Sequence, residues 1–328
     1  MSKFLFTFGV IAFGLSSGYI LQVLIRNGIV RLPIETDRLR KVILQSVLLL
    51  FLPVTVIGAV WSMKITDPRV ATLPLLGAFA LLSGGAMALG LSKMLKLTRP
   101  QTGTMFVCGL FTNNGAIGGL ICYVFLGEMG FGLVPIYRFF EEVIYYAIGF
   151  PVARLYSSRP GGEEKETVTN RLKRLASDPF VIVSVSSLAA GGTLNLSGFP
   201  RPEFYRTVNA ILIPMTTIAF LFPIGMAMRV TVVRHYFREC SGISLLKFVI
   251  APGMVTGLGL LLGYRHIAEG LVLKVVLILS SMPVAFMALI PPTLYDLDID
   301  LANSCWLFTT ALLVIVLPGL FFIIHWVF

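Results

Sequence analysis

The stretch Phe111-Thr112-Asn113-Asn114-Gly115-Ala116-Ile117-Gly118-Gly119 sets two carboxamides and three glycines in the middle of an apolar run from about Thr104 to Leu126. At about 1.5 Å per residue such a run is long enough to cross a bilayer, but its middle is poor in helix formers. A span that breaks at half depth leaves backbone amides and carbonyls without partners in hydrocarbon. That is tolerable only where protein or a polar cavity satisfies them. The broken span therefore points to a binding site.

With 56% hydrophobic and 13% charged residues, the chain exceeds the apolar content of soluble domains and falls short of their charge. It reads as a polytopic membrane protein. The net charge of +10 does not indicate nucleic acid, because the basic residues stand at the ends of apolar runs instead of forming a stripe on a polar domain. Met1-Ser2-Lys3 and the run after it imitate a signal peptide, but the run continues to about Ile25 and is taken as a first span. Cys108, Cys122, Cys240 and Cys305 are scattered, with neither a metal-ligand spacing nor a disulfide framework.

Hydropathy places spans at about 4–25, 42–61, 70–92, 104–126, 132–154, 179–196, 207–228, 244–264, 271–292 and 302–325. Ten crossings put both termini on one side. Alternate connections are rich in Lys and Arg, among them Arg26 to Lys41, Lys93 to Arg99, Arg154 to Arg174 and Arg229 to Lys247. Basic loops stay in the cytoplasm, so both termini are expected outside.

A repeat is faintly visible. Leu50-Phe51-Leu52-Pro53 is echoed by Phe220-Leu221-Phe222-Pro223, Gly85 by Gly253, and Gly115 by Pro283 at a similar offset. Five crossings per half would make the halves inverted, giving repeats at 1–155 and 179–328 joined by a flexible cytoplasmic linker at 156–178. In the ninth span, Ser280-Ser281-Met282-Pro283-Val284 predicts a second interruption, because proline removes a donor and biases Met282 away from helical dihedrals. Two helices broken at one depth would aim two positive N-termini at the bilayer centre, where they can hold a carboxylate, while the preceding carbonyl ends suit a cation.

These residues resemble the auxin efflux carrier family of membrane transporters, which includes bacterial permeases and the plant PIN-FORMED carriers. The resemblance rests on Asn113 to Gly119, Phe125-Leu126-Gly127-Glu128 with Gly130, Asp178-Pro179, Pro214 through Pro223-Ile224-Gly225, and Ser281-Met282-Pro283 with Tyr295 and Asp300. It implies an all-α membrane protein of ten helices in two inverted repeats, like bile-acid and sodium/proton transporters. Helices 4 and 9 would cross at their breaks, and a mobile transport domain would move against a scaffold, each drawn from both repeats. It also implies organic-anion substrates, and Asn113, Gly115, Gly118 and Pro283 as crossover residues. The family usually carries proline where Leu120 stands and more often threonine at Asn114, so the fourth span here must unwind through its glycines and asparagines.

Tyr137-Arg138-Phe139-Phe140-Glu141-Glu142 is the least expected stretch for a span. The glutamates fall roughly 14 Å in from Gly132, near mid-bilayer, where ionisable groups face a cavity or a partner. One is expected to pair with Arg138 and the other to take up a proton or bind a cation; a wholly structural cluster is the alternative. Asn113 and Asn114 offer uncharged donors and acceptors for a carboxylate, or satisfy the broken backbone. Ser280, Ser281 and Tyr145 are candidate neighbours. Ala80, Gly84 and Ala88, and Gly253 with Gly257, read as close helix packing. Asp300 is expected to cap the last span. Gly14-Leu15-Ser16-Ser17-Gly18 fits the G-x-S-x-G pattern, but it lies inside the first span without a strand-to-helix turn, so no enzyme is read from it.

The expectation is a secondary transporter of the cell membrane that moves small organic anions by alternating access, driven by protons or the electrochemical gradient. A sodium-coupled bile-acid-type symporter and a non-transporting ligand sensor are the alternatives. The expected binding set is Asn113, Asn114, Gly115, Gly118, Gly119, Ser281, Met282 and Pro283, with Glu141, Glu142 and Arg138 as the ion- or proton-coupling set. No cofactor, metal or nucleic acid is expected; a homodimer is permitted.

Overall fold

Long apolar runs satisfy their backbone groups internally by coiling, and the computed structural model is accordingly helical, describing residues 2–30, 32, 34–63, 67–157, 170, 173, 176–228 and 233–326. In chain order the helices are α1 (Ser2–Arg26), α2 (Thr36–Ser46), α3 (Leu52–Trp61), α4 (Leu73–Met94), α5 (Arg99–Leu110), α6 (Gly119–Tyr137), α7 (Glu141–Ile144) and α8 (Phe150–Leu155). Then follow α9 (Pro179–Leu196), α10 (Phe204–Met226), α11 (Phe237–Leu245), α12 (Ala251–Leu261), α13 (Leu271–Ser280), α14 (Ile290–Tyr295) and α15 (Ile299–Trp326). Among the described residues, 7 helical stretches are long and apolar enough to cross a membrane, and Val181–Leu196, Leu271–Ser280 and Phe286–Tyr295 are shorter apolar helices. This is an integral membrane protein. The linker expected at 156–178 lies largely outside the described residues.

Three prolines shape the helices from within. Pro53, Pro151 and Pro252 each stand second in a helix, and each is preceded by a π-helical turn, at Val47–Phe51, Tyr145–Gly149 and Leu246–Ile250. Proline has no N–H for the carbonyl four residues back and its ring crowds that carbonyl, so the backbone widens by one residue and the helix continues.

The chain forms two units. The first comprises Met1–Lys64, Gly115–Pro135 and Asp178–Met228. In it α1 lies along α10, and a Cβ added at Gly18 would run into the Phe222 carbonyl oxygen, one at Gly225 into that of Leu15. This close crossing accounts for the glycines of Gly14-Leu15-Ser16-Ser17-Gly18, and the Ser16 hydroxyl donates back to Phe13 O (3.5 Å). Gly127, at φ +75°, turns the chain inside α6, and the Glu128 that follows pairs with Arg201 at 2.7 Å while Arg201 also donates to Gly58 O at 2.9 Å.

The second unit comprises Ile65–Asn114, Ile136–Ser177 and Arg229–Phe328. Gly84 of α4 and Gly109 of α5 face each other so closely that a Cβ on either would strike the other's carbonyl oxygen. The ladder expected at Gly253 and Gly257 does not pack in this way: a Cβ at either would meet nothing within 4 Å, because these positions lie on an unoccupied face of α12. Of the cysteines, Cys240 and Cys305 come within 3.9 Å of one another with Cys108 beside them, all buried and free.

The cap of α15 is Asp298, not Asp300. Its Oδ1 accepts the Leu301 N–H at 2.9 Å, the geometry of a residue just outside the first turn. Gln101 at the start of α5 donates to the same carboxylate (3.2 Å), as does the Tyr236 hydroxyl (3.0 Å), so one side chain ties two helix starts together.

Candidate functional site

Within the second unit α5 ends at Leu110 and the chain turns extended at Phe111 (φ −80°, ψ 122°). α13 ends at Ser280, and helical structure resumes only at Phe286. The two interruptions pair with each other: Thr112 and Val284 form an antiparallel bridge, Asn113 N–H donates to Pro283 O at 3.0 Å, and Ala285 N–H donates to Phe111 O at 3.1 Å. The remaining donors find acceptors on α15 and in the last turn of α13. Val284 N–H donates to Thr309 Oγ1 at 3.2 Å, Ser281 N–H to Leu277 O at 3.2 Å, and Met282 N–H to Leu279 O at 3.3 Å. Every backbone N–H from Phe111 to Asn114 and from Ser281 to Ala285 thus has a protein acceptor, proline having none to place.

Side chains from two of the proline-induced π turns hold Thr112. The Tyr145 hydroxyl accepts the Thr112 N–H at 2.9 Å and donates to the Thr112 carbonyl at 3.3 Å, its ring stacked on Phe111 at 4.0 Å. Lys247 donates from Nζ to Thr112 Oγ1 at 2.6 Å and to Phe111 O at 3.2 Å, and is 4% exposed. A lysine so deep is expensive unless its protons are all directed at oxygen.

The acidic stretch also converges here. α6 stops at Tyr137, the chain turns through Arg138-Phe139-Phe140, and Glu141 begins a new helix, an interruption that hydropathy did not disclose. Arg138 donates to Glu141 Oε1 at 2.7 Å and lies 3.8 Å from Glu142 Oε1. Glu141 is buried and its second oxygen accepts from Asn114 Nδ2 at 2.9 Å; Glu142 is 39% exposed at its side chain. Asn114 Oδ1 is buried with no hydrogen-bond partner.

Among the other residues read from sequence, Asn113, Ser281, Met282 and Pro283 are buried at the paired interruptions. The Ser280 and Ser281 hydroxyls turn back on their own helix, to Val276 O and Leu277 O, each at 2.7 Å. Gly115, Gly118 and Gly119 follow in the first unit, Gly115 and Gly118 in a π-helical turn, Asn114–Gly118, that leads into α6. Thr112, Asn114, Lys247 and Ser280 line a narrow cavity with Gly84 and Gly109, with about 10 Å³ for the centre of a water molecule. No group of three or more metal-ligating side chains occurs among the described residues.

Sequence reasoning missed Thr112, Lys247 and Thr309. Lys247 lies inside a helix and not in a basic connection, and the apolar run containing Pro252 that follows it is the sequence signal that marks it as a lone cation there.

No protein-family profile matches the sequence. Over 252 residues the chain is 24% identical to an "Uncharacterized transporter" of Methanothermobacter thermautotrophicus, covering 76% of this chain and 78% of that protein. Over 218 residues it is 30% identical to "Uncharacterized transporter MJ1031" of Methanocaldococcus jannaschii, covering 62% of this chain and 68% of that protein. The chain belongs to the family of the transporter MJ1031.

Proposed function

We propose that the chain carries small organic anions, mono- or dicarboxylates, across the cell membrane by alternating access, in the manner of the auxin efflux carriers it resembles. The second unit acts as the moving transport domain and the first as its scaffold, within a fold of ten spans in two inverted repeats with both termini outside. The observation that carries this reading is the Thr112 to Val284 bridge between two interrupted apolar helices, since non-helical backbone at membrane depth is tolerated where it serves a polar centre.

In this reading the carboxylate is received beside the paired interruptions, at Asn113, Asn114 and Ser281-Met282-Pro283, while Gly115, Gly118 and Gly119 let the chain leave the helix after Asn114. The charges nearby balance, Lys247 and Arg138 against Glu141 and Glu142. A carboxylate added to that set is best accommodated if a proton enters with it, and the more exposed Glu142 is the acceptor, with Glu141 fixed by Arg138 and Asn114. Flux of labelled mono- and dicarboxylates into proteoliposomes, with and without a pH gradient, tests the proposal. Binding without flux would make the protein a sensor instead.

A further inference from the structure

We infer that the Lys247 ammonium is a tethered cation standing where a carrier of this build would otherwise hold an alkali-metal ion, so that this protein works without sodium. The inference rests on reading the paired interruptions as the transport centre.

The two oxygens that Lys247 meets are a main-chain carbonyl, Phe111 O, and a hydroxyl, Thr112 Oγ1, both at the unwound C-terminal end of α5. Uncharged carbonyl and hydroxyl oxygens at the end of a half-helix are what a dehydrated monovalent cation takes as ligands inside a membrane protein, the helix dipole adding negative potential. Among the described residues no carboxylate is within ion-pair distance of Lys247; Glu141 acts on it from farther off, and its immediate partners are dipoles, as those of a bound ion would be. Phe111 O also accepts the Ala285 N–H, so the ammonium draws on the oxygen that closes the bridge between the two interruptions.

The position of the ammonium is fixed rather than adopted by a wandering stem. Lys247 lies within the π turn that Pro252 imposes, between Leu246 and the buried Ala251, and the residue is only 4% exposed. With the two oxygens engaged by a covalently held cation, an added sodium ion has no ligands to gain there.

The test is thermal unfolding of the purified full chain in detergent, in sodium chloride against choline chloride at equal ionic strength. The wild type is expected to show the same midpoint in both. Lys247→Ala, which leaves the oxygens without a cation, is expected to lose on the order of 5 °C in choline and regain at least half of it in sodium, lithium or ethylammonium. Lys247→Met, whose stem still fills the space, is expected to lose as much and regain nothing. Stabilisation of the wild type by sodium overturns the inference, as does a monodisperse Lys247→Ala that no small cation restores. Should Lys247→Ala not be recovered folded, the wild-type comparison decides by itself. Absence of carboxylate flux together with these cation responses would count against the transport reading and leave the lysine assignment standing; sodium-dependent flux would do the reverse.

Discussion

Asn114 Nδ2 donates to Glu141 Oε2 at 2.9 Å, and through that carboxylate to an ion pair with Arg138, so the residue at the end of one interruption is held by the first residue after another. Three breaks in regular helix, after Leu110, after Tyr137 and after Ser280, lie in a single unit and are joined there by polar contacts.

Glu141→Gln is expected to be strongly destabilising and Glu142→Gln nearly neutral in stability. Removing the buried carboxylate leaves Arg138 without its closest counter-charge, a loss of roughly 3 to 5 kcal/mol, whereas Glu142 is partly exposed and 3.8 Å away. Thermal unfolding in detergent checks the ranking. If Glu142 is the proton acceptor, Glu142→Gln should still alter the pH dependence of flux.

Tyr145→Phe keeps the ring stacked on Phe111 but deprives the Thr112 N–H of its acceptor. An orphaned buried donor costs about 1 to 3 kcal/mol, so amide exchange at Thr112 should quicken by one to two orders of magnitude, while amides of α15 remain protected. Hydrogen-exchange mass spectrometry of the peptide across 108–116 reads this directly.

Gly84→Ala and Gly109→Ala are each expected to cost about 1 to 3 kcal/mol, because the new methyl would strike a backbone carbonyl that cannot yield. Gly253→Ala should be neutral or stabilising by up to about 1 kcal/mol, since the methyl meets open space and alanine favours helix. Expression yield and unfolding midpoint of the three variants separate packing glycines from incidental ones.

Tyr236 lies outside the spans, and burial, then the neighbouring Asp298 carboxylate, pushes its hydroxyl up from 10.0 to about 12. Its raised pKa favours the neutral form in the fold. The stability it contributes is therefore complete below about pH 10 and is lost as pH climbs toward about 12, when the unfolded chain gains by ionising first. Tyr236→Phe should flatten the decline of the unfolding midpoint across that window, and absorbance titration should lose one tyrosine that ionises near pH 12.

Much of the architecture was legible in the sequence because membrane helices announce themselves by length and apolarity, and helical structure runs through most of the windows that hydropathy selected. The interruptions at Phe111 to Asn114 and Ser281 to Ala285 coincide with residues that are poor in helices, Asn113 and Asn114 in one and Pro283 in the other. Of what pairs with them, Tyr145 was legible as a neighbour, and it holds Thr112. Lys247 and Thr309 were not, because they reach the interruptions only through the packing of helices far apart in sequence. Asp298 displaced Asp300 as the cap because helix starts are set by hydrogen-bond geometry, which two acids so close in sequence cannot signal apart. Gly253 and Gly257 show the converse: four-residue spacing marks a face, not what covers it.

The bridge between Thr112 and Val284 also dictates an order of events during synthesis. Phe111 O, Asn113 N–H and their neighbours enter the membrane long before Pro283 and Ala285 leave the ribosome, so for most of translation their eventual partners do not exist. A nascent chain in that condition cannot settle its fourth apolar run into lipid alone. It must wait, at the insertion machinery or among earlier helices, until its C-terminal third arrives to close the contact.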